Sequence, residues 1–243
     1  MEPEAHDNWA EYYDYVYERT YGPAYTQFNN LTINAIKGIL GPKRSILDFG
    51  AGTGRLCIPL KQAGYEVIAV EKSHAMAEII EQKASNLNLS IDIHKCGIAE
   101  YRNGKAELAI AVFTVLSYAT TEEQIEAIVL NIKKHLLPGG YFFFDLPDAH
   151  FFQQRTLIDS NQVDFKRNVT LAPIDNDIYL YSETCKGTYN NIPFAYQDEF
   201  QIRYWDLNFF EDLLTRHGFT NTNQNFRQFA GTGSTYRLFK VGA

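Results

Sequence analysis

An aspartate standing two residues ahead of three alternating glycines is the part of this sequence best suited to chemistry: Asp48-Phe49-Gly50-Ala51-Gly52-Thr53-Gly54. Glycines at every second position free a turn for close approach between backbone and ligand. The dinucleotide fingerprint G-x-G-x-x-G places its third glycine five residues after the first; here Gly54 comes four after Gly50. A carboxylate at position 48 would repel a pyrophosphate and welcome an ammonium group. The turn therefore suits a zwitterionic or cationic nucleoside. Glu71 follows Gly50 by 21 residues and ends the run Val67-Ile68-Ala69-Val70. An acid there can accept hydrogen bonds from both hydroxyls of a ribose. The same geometry serves a nicotinamide dinucleotide, so Glu71 by itself leaves the nucleoside open.

Other reactive side chains are fewer. His150, in Asp145-Leu146-Pro147-Asp148-Ala149-His150-Phe151-Phe152, follows an apolar run and is a candidate general base, with a plain loop histidine as the alternative. The other five histidines fall at helix ends, a strand edge or the acidic start of the chain. Tyr12, Tyr13, Tyr15, Tyr17, Tyr21 and Tyr25 crowd the first forty residues. A phenol and its ring face both favour a cation, so Tyr17 or Tyr21 is a candidate lid over a positively charged ligand; amphipathic packing is the competing reading. Cys57, Cys96 and Cys185 form no C-x-x-C, which points to reduced thiols in a cytosol and to no metal site.

The elements that must position these residues alternate as strand and helix. Strands are expected at 45–49, 66–70, 91–95, 107–113 and 140–145, with helices at about 54–64, 74–85 and 121–136. Cys96 to Lys105 is too short for a full crossover helix. Ligands of such open sheets sit at the carboxyl ends of the strands, which is where Asp48 and Glu71 fall. Leu31 to Leu40 has helical periodicity and stops at Gly41-Pro42. After Asp145 the pattern changes: Phe151 to Thr156 reads as helical, and alternating stretches from Val163 to Trp205 read as antiparallel strands. A last helix runs from Asp206 to His217, and strands at about 219–226 and 235–241 close the chain.

Asp48-Phe-Gly50-Ala-Gly52-Thr-Gly54, the acid-ended strand Val67–Glu71 and Leu136-Leu-Pro-Gly139-Gly140-Tyr-Phe-Phe-Phe-Asp145 resemble, in this order and spacing, the class I S-adenosylmethionine-dependent methyltransferases over about residues 40 to 145. The resemblance implies an α/β, Rossmann-like, doubly wound and mostly parallel seven-stranded sheet. Within one methyltransferase domain over 1–243 it implies a helical cap (1–42), a cofactor-binding core (43–150), an inserted antiparallel β element (151–205) and a closing helix and strands (206–243). It implies S-adenosylmethionine as cofactor, with Asp48, Gly50, Gly52, Gly54, Glu71 and the backbone near Phe113 holding it and Met76 and Ile98 flanking its adenine. At position 97, where the family often has an acid for the adenine amino group, this chain has Gly97, so backbone around Gly97 and Ile98 is expected to replace that contact.

Nucleobase amino-methylating members carry Asp or Asn, then Pro-Pro and an aromatic, after the fourth strand; Phe113-Thr-Val-Leu-Ser-Tyr118 departs from this. A tyrosine-rich start and an antiparallel insertion resemble small-molecule N-methyltransferases, including those acting on amino sugars. The expected function is methyl transfer to nitrogen or oxygen of a small metabolite in the cytoplasm, with Tyr118, Phe151 and Tyr204 as candidate acceptor contacts. A non-catalytic cofactor-binding protein and a nicotinamide oxidoreductase are the alternatives. With 22 Lys and Arg against 29 Asp and Glu, a net charge of −7 and no basic stripe, nucleic acid is not expected as partner. The longest apolar stretch, Leu108 to Leu116, falls short of a membrane span of ~20 residues. The aromatic insertion could also mediate a homodimer.

Overall fold

The computed structural model describes residues 4–41 and 44–242; Pro42 of the expected helix stop lies outside them, as do the first and last residues of the chain. A 3-10 helix, Asp7–Tyr12, leads into helices α1 (Tyr13–Tyr21) and α2 (Pro23–Leu40). Gly22, with φ 55°, makes the break between the two helices, and Pro23 starts α2 where a missing N–H costs nothing.

The core contains β1 (Ser45–Phe49), α3 (Cys57–Gln62), β2 (Glu66–Glu71), α4 (His74–Asn86), β3 (Asp92–Lys95), β4 (Ala106–Ala111), α5 (Glu122–His135) and β5 (Leu136–Pro147). It is completed by α7 (Leu207–Arg216), β10 (Phe219–Asn221) and β11 (Ser234–Val241), after an insertion of α6 (Ala149–Gln153), β6 (Thr156–Asn161), β7 (Phe165–Asp175), β8 (Ile178–Tyr189) and β9 (Ile192–Arg203). The seven-stranded sheet has the order β10-β11-β5-β4-β1-β2-β3. Its pairs are parallel from β3 to β5, and only β11 runs against its neighbours. Strand order reverses at β1, between β4 and β2, which opens the crevice at the carboxyl ends of those strands. Central strands such as β4, fully buried over Leu108–Ala111, read as continuous apolar runs because helices cover both faces.

Several boundaries differ from the sequence reading. β4 ends at Ala111 instead of 113, because Phe113 and Thr114 take positive φ, 74° and 62°. The insertion starts with β6 at Thr156, earlier than Val163, and α6 stops at Gln153. The strand after the last helix is only Phe219–Asn221. Cys96–Lys105 holds a single 3-10 turn, Ile98–Glu100, as its length required.

β6 to β9 form a separate antiparallel sheet. On β7 the alternation Phe165, Arg167, Val169, Leu171 is buried, and on β9 Phe194, Asp198 and Ile202. One end of this inner face packs on Trp9, Val16 and the tyrosines of α1; the other packs on Phe152 of α6. The second sheet and the N-terminal helices thus meet over the crevice.

Candidate functional site

A cleft of about 690 Å³ lies at the carboxyl ends of β1 to β4. Its floor is the turn after β1, where Gly50, Gly52 and Gly54 have φ of 70°, 58° and 89°, a region that L side chains avoid. A Cβ on Gly50 would stand 2.6 Å from Cγ2 of Val115, whereas one on Gly52 would meet nothing within 4 Å. Gly50 and Ala51 both donate to the carbonyl of Val70 (2.8 and 3.2 Å), which ties the turn to β2. Gly50, Gly52, Glu71, Met76, Gly97, Ile98, Phe113 and Tyr118 line the cleft.

Glu71 accepts from the N–H of Gly52 (2.7 Å) and of Ser73 (2.9 Å), so its carboxylate faces the floor of the cleft on fixed donors. Burial raises its pKa, opposed by those N–H groups. Glu71→Ala removes the acceptor and frees the turn, and we expect isothermal titration to show cofactor affinity weakened at least about tenfold. An unchanged Kd would refute its role.

Asp48 does not line the cleft. It is 3% exposed behind the glycine turn, and its Oδ2 has no hydrogen-bond partner. Burial, offset by Arg55, raises its pKa to about 7. An orphaned carboxylate oxygen beside an open glycine turn matches a positively charged ligand group reached through the field or a bridging water. Asp145, 1% exposed at the end of β5, is pushed by burial to about 6. It accepts from the N–H of Phe113 (2.5 Å) and Thr114 (3.3 Å). That carboxylate holds two successive residues in the left-handed region, each costing ~1–3 kcal/mol, and thereby sets the wall of the cleft after β4.

Gly97 is explained by its neighbour: a Cβ there would run into the carboxylate of Glu100, which itself lines the cleft. An acid is thus present in the cleft three residues after position 97, which spacing alone did not reveal.

Other expectations need correction. His150 is exposed on α6 and is not among the cleft residues, because Asp148 caps that helix through Phe151 N–H (3.1 Å) and turns it onto the second sheet. Phe151 and Tyr204 go the same way: both pack in the cluster around Phe152, Leu171 and Ile202. Tyr17 and Tyr21 are likewise set back from the cleft. Tyr17 stacks on Tyr13 at 4.5 Å and lies beneath the guanidinium of Arg167 at 4.8 Å; Tyr13, one helical turn earlier, is the tyrosine of α1 that lines the cleft. Gly54 sits beneath the turn against Ile58.

Sequence reading missed Arg55 and His6. Arg55 lines the cleft, donates to Asn29 Oδ1 (3.2 Å) and stacks on the ring of Phe113. Residues 4–14 form a strap across the rim. Glu4 pairs with Lys72 (2.6 Å), Asp7 accepts from Ser73 Oγ (2.5 Å), and Asp14 accepts from Thr53 Oγ1 (2.7 Å) and from Lys83. His6, held between these contacts, faces the cleft beside Tyr118 and Phe200.

Residues 46–140 match a family model described as a methyltransferase domain. The cypemycin N-terminal methyltransferase of Streptomyces sp is 32% identical over 115 residues, 46% of this chain and 45% of that protein. A putative methyltransferase of Geobacillus sp. strain WCH70 is 23% identical over 97% of this chain and 98% of its own length. The chain therefore spans less than half of the first relative and nearly all of the second. Among solved structures, an S-adenosylmethionine-dependent methyltransferase from Clostridium acetobutylicum superposes with a TM-score of 0.82 at 16% identity, over 96% of this chain and 99% of that one. CalS10, an amino pentose methyltransferase from Micromonospora echinaspora solved with S-adenosylmethionine bound, gives 0.74 at 14% identity over 94% and 95%. Residues 46–140 thus match a methyltransferase domain, and the sheet order is carried on a fold shared with solved S-adenosylmethionine-dependent methyltransferases. No helix of the described residues is long and apolar enough to cross a membrane.

Proposed function

We propose that the protein transfers a methyl group to the nitrogen of a small hydroxylated amine. The observation that carries this is the charge and surface of the cleft. Glu4, Glu71, Glu100, Glu123 and Glu199 line it against Arg55 and Lys72, and Lys72 is already paired with Glu4. Its outer wall is made of the rings of Tyr13, Tyr118 and Phe200. Carboxylates and aromatic faces attract cations, the form in which a free amine and a sulfonium nucleoside both arrive. Two of the similar proteins, the cypemycin N-terminal methyltransferase and the amino pentose methyltransferase CalS10, support an amine acceptor.

S-Adenosylmethionine supplies, when bound, a methyl group on a sulfonium that a lone pair can displace. This chain's residues do the rest. Glu71 holds the ribose. Met76 and Ile98 would flank the adenine, and Glu100 would accept from its amino group. Asp48 favours the ammonium of the methionine part, and Arg55 with Tyr13 takes its carboxylate. The strap and the second sheet exclude water from the remaining space, where orientation of the acceptor is worth ~7–11 kcal/mol. A reducing cytosol is the compartment that fits three free cysteines.

Incubation with tritiated-methyl cofactor and a panel of amino sugars, short peptides and their deaminated hydroxyl analogues tests the reading. Label is expected in the amines and not in the analogues. Label confined to hydroxyl acceptors or to macromolecules would overturn it.

A further inference from the structure

We infer that Tyr118, His6 and Asp198 form a proton relay at the acceptor end of the cleft, an inference that rests on the amine-methylating reading above. The three residues come from distant parts of the chain: the strap, the turn Val115–Tyr118 after β4, and β9. The Tyr118 hydroxyl lies 2.7 Å from His6 Nε2, and His6 Nδ1 lies 3.1 Å from Asp198 Oδ2. The same carboxylate oxygen also accepts from the His6 backbone N–H (2.9 Å) and from Trp9 Nε1 (2.8 Å). Asp198 is 8% exposed, so it is a fixed charge and not a surface acid that happens to be near.

His6 itself is a non-glycine residue at φ 72°, a strained conformation that needs outside support. Packing supplies it: the imidazole stands edge-on to Trp9, Tyr13, Tyr118 and Phe200, with centroids 5.0–6.1 Å away. Tyr118 in turn stacks on Phe200 at 5.2 Å, while 38% of its surface stays exposed along the cleft.

Nδ1 makes no aligned hydrogen bond, but the carboxylate 3.1 Å away favours a proton on that nitrogen through its charge, which leaves Nε2 as acceptor. Tyr118 then donates to Nε2, and the lone pairs of its oxygen are free to accept from a ligand. Burial, followed by the charges of Tyr17 and Asp198, holds the Tyr118 phenol well above its usual pKa, so it conducts a proton rather than resting as a phenolate. The proton of the bound ammonium passes first to Tyr118 Oη, and the lone pair so freed then displaces the methyl group as the sulfur–carbon bond breaks. The proton of Tyr118 moves to His6 Nε2, and the imidazolium, steadied by Asp198, returns it to water through the 16% of the His6 side chain that is exposed. Tyr118 touches the acceptor and is the catalytic residue; His6 and Asp198 act through it.

Two measurements test this. The first needs no acceptor: long-range ¹⁵N–¹H spectra of the imidazoles, with His6 assigned by His6→Gln. The Nδ1–H tautomer is expected, with an Nε2 signal that moves in Tyr118→Phe. An Nε2–H tautomer, or a signal indifferent to Tyr118→Phe, overturns the relay whether or not the amine reading stands. The second uses an amine that the wild type methylates. His6→Gln is expected to lower kcat about 10²-fold near neutrality with KM and cofactor Kd unchanged, and the deficit should close at alkaline pH as the amine loses its own proton. The titratable groups facing the ring are Tyr13, Tyr118, Asp198 and Glu71, none of which His6→Gln alters. Wild-type kcat and pH profile in His6→Gln would refute the relay while leaving the methyltransferase reading intact.

Discussion

Asp48→Asn is expected to make the unliganded protein more stable and a poorer binder of S-adenosylmethionine. Burial raises this carboxyl from 3.8 to about 7. Its folded pKa exceeds its unfolded one, so the native state holds the extra proton over this window. Stability is therefore fully present below about pH 4 and is lost as pH rises through about 7, by an amount of roughly 4 kcal/mol at most. Asparagine removes that ionisation. We expect Tm to rise by up to about 8–16 °C at pH 8, taking ~2–4 °C per kcal/mol for a chain of this size, and to stay unchanged at pH 4. Without the charge, cofactor affinity at pH 8 should fall roughly 10- to 100-fold, the worth of a charge-assisted contact. In the wild type, binding at pH 6 should release a proton, visible as a buffer-dependent enthalpy. A lower Tm at pH 8, or an affinity loss under twofold, would remove Asp48 from the cofactor site.

The second large effect lies beneath the site. Arg167 on β7 and Glu183 on β8 form a bidentate pair, 2.8 and 3.0 Å, with side chains 0% and 1% exposed. Tyr196 (2.5 Å) and Tyr181 (3.2 Å) donate to the same carboxylate, and Arg167 also reaches Thr20 Oγ1 (3.1 Å). Removing one member strands the other in a dry interior. Arg167→Met should cost about 3–5 kcal/mol, read as a lower urea midpoint. Arg167→Met with Glu183→Leu should recover part of that loss, because an apolar pair of similar volume leaves no charge behind. A double variant less stable than the single would show that the pair is net stabilising, contrary to this account.

The pair also explains why the tyrosines of α1 were hard to rank from sequence. Tyr17 is spent as the face on which Arg167 rests; the cation it meets belongs to the protein. Tyr13 and Tyr17 sit one helical turn apart on the same face, and nothing local tells which of them meets the cleft. By contrast, the glycine turn and Glu71 beside it were legible, since they depend only on a strand, a turn and a fixed offset, although Asp48 and Gly54 lie behind the turn and not on the cleft. The strands of the core were legible along the chain from the βαβ alternation, though not their order in the sheet, and the short Cys96–Lys105 link told its own length. His6 and Asp198 were invisible for the opposite reason. They lie 192 residues apart, in the two segments whose packing on the core has no sequence period. His150 misled because it follows β5 in sequence, and only the cap at Asp148 shows the chain turning away.

Glu4, Asp7 and Asp14 act as three latches of unequal strength. The outermost, Glu4 to Lys72, joins side chains 40% and 64% exposed, so counter-ions weaken it first, whereas Asp7 grips a neutral hydroxyl and Asp14 a hydroxyl together with the ammonium of Lys83. Rising ionic strength is thus expected to free Glu4 from Lys72 while Asp7 and Asp14 still hold, so that the strap peels from its far end toward the helix that carries it.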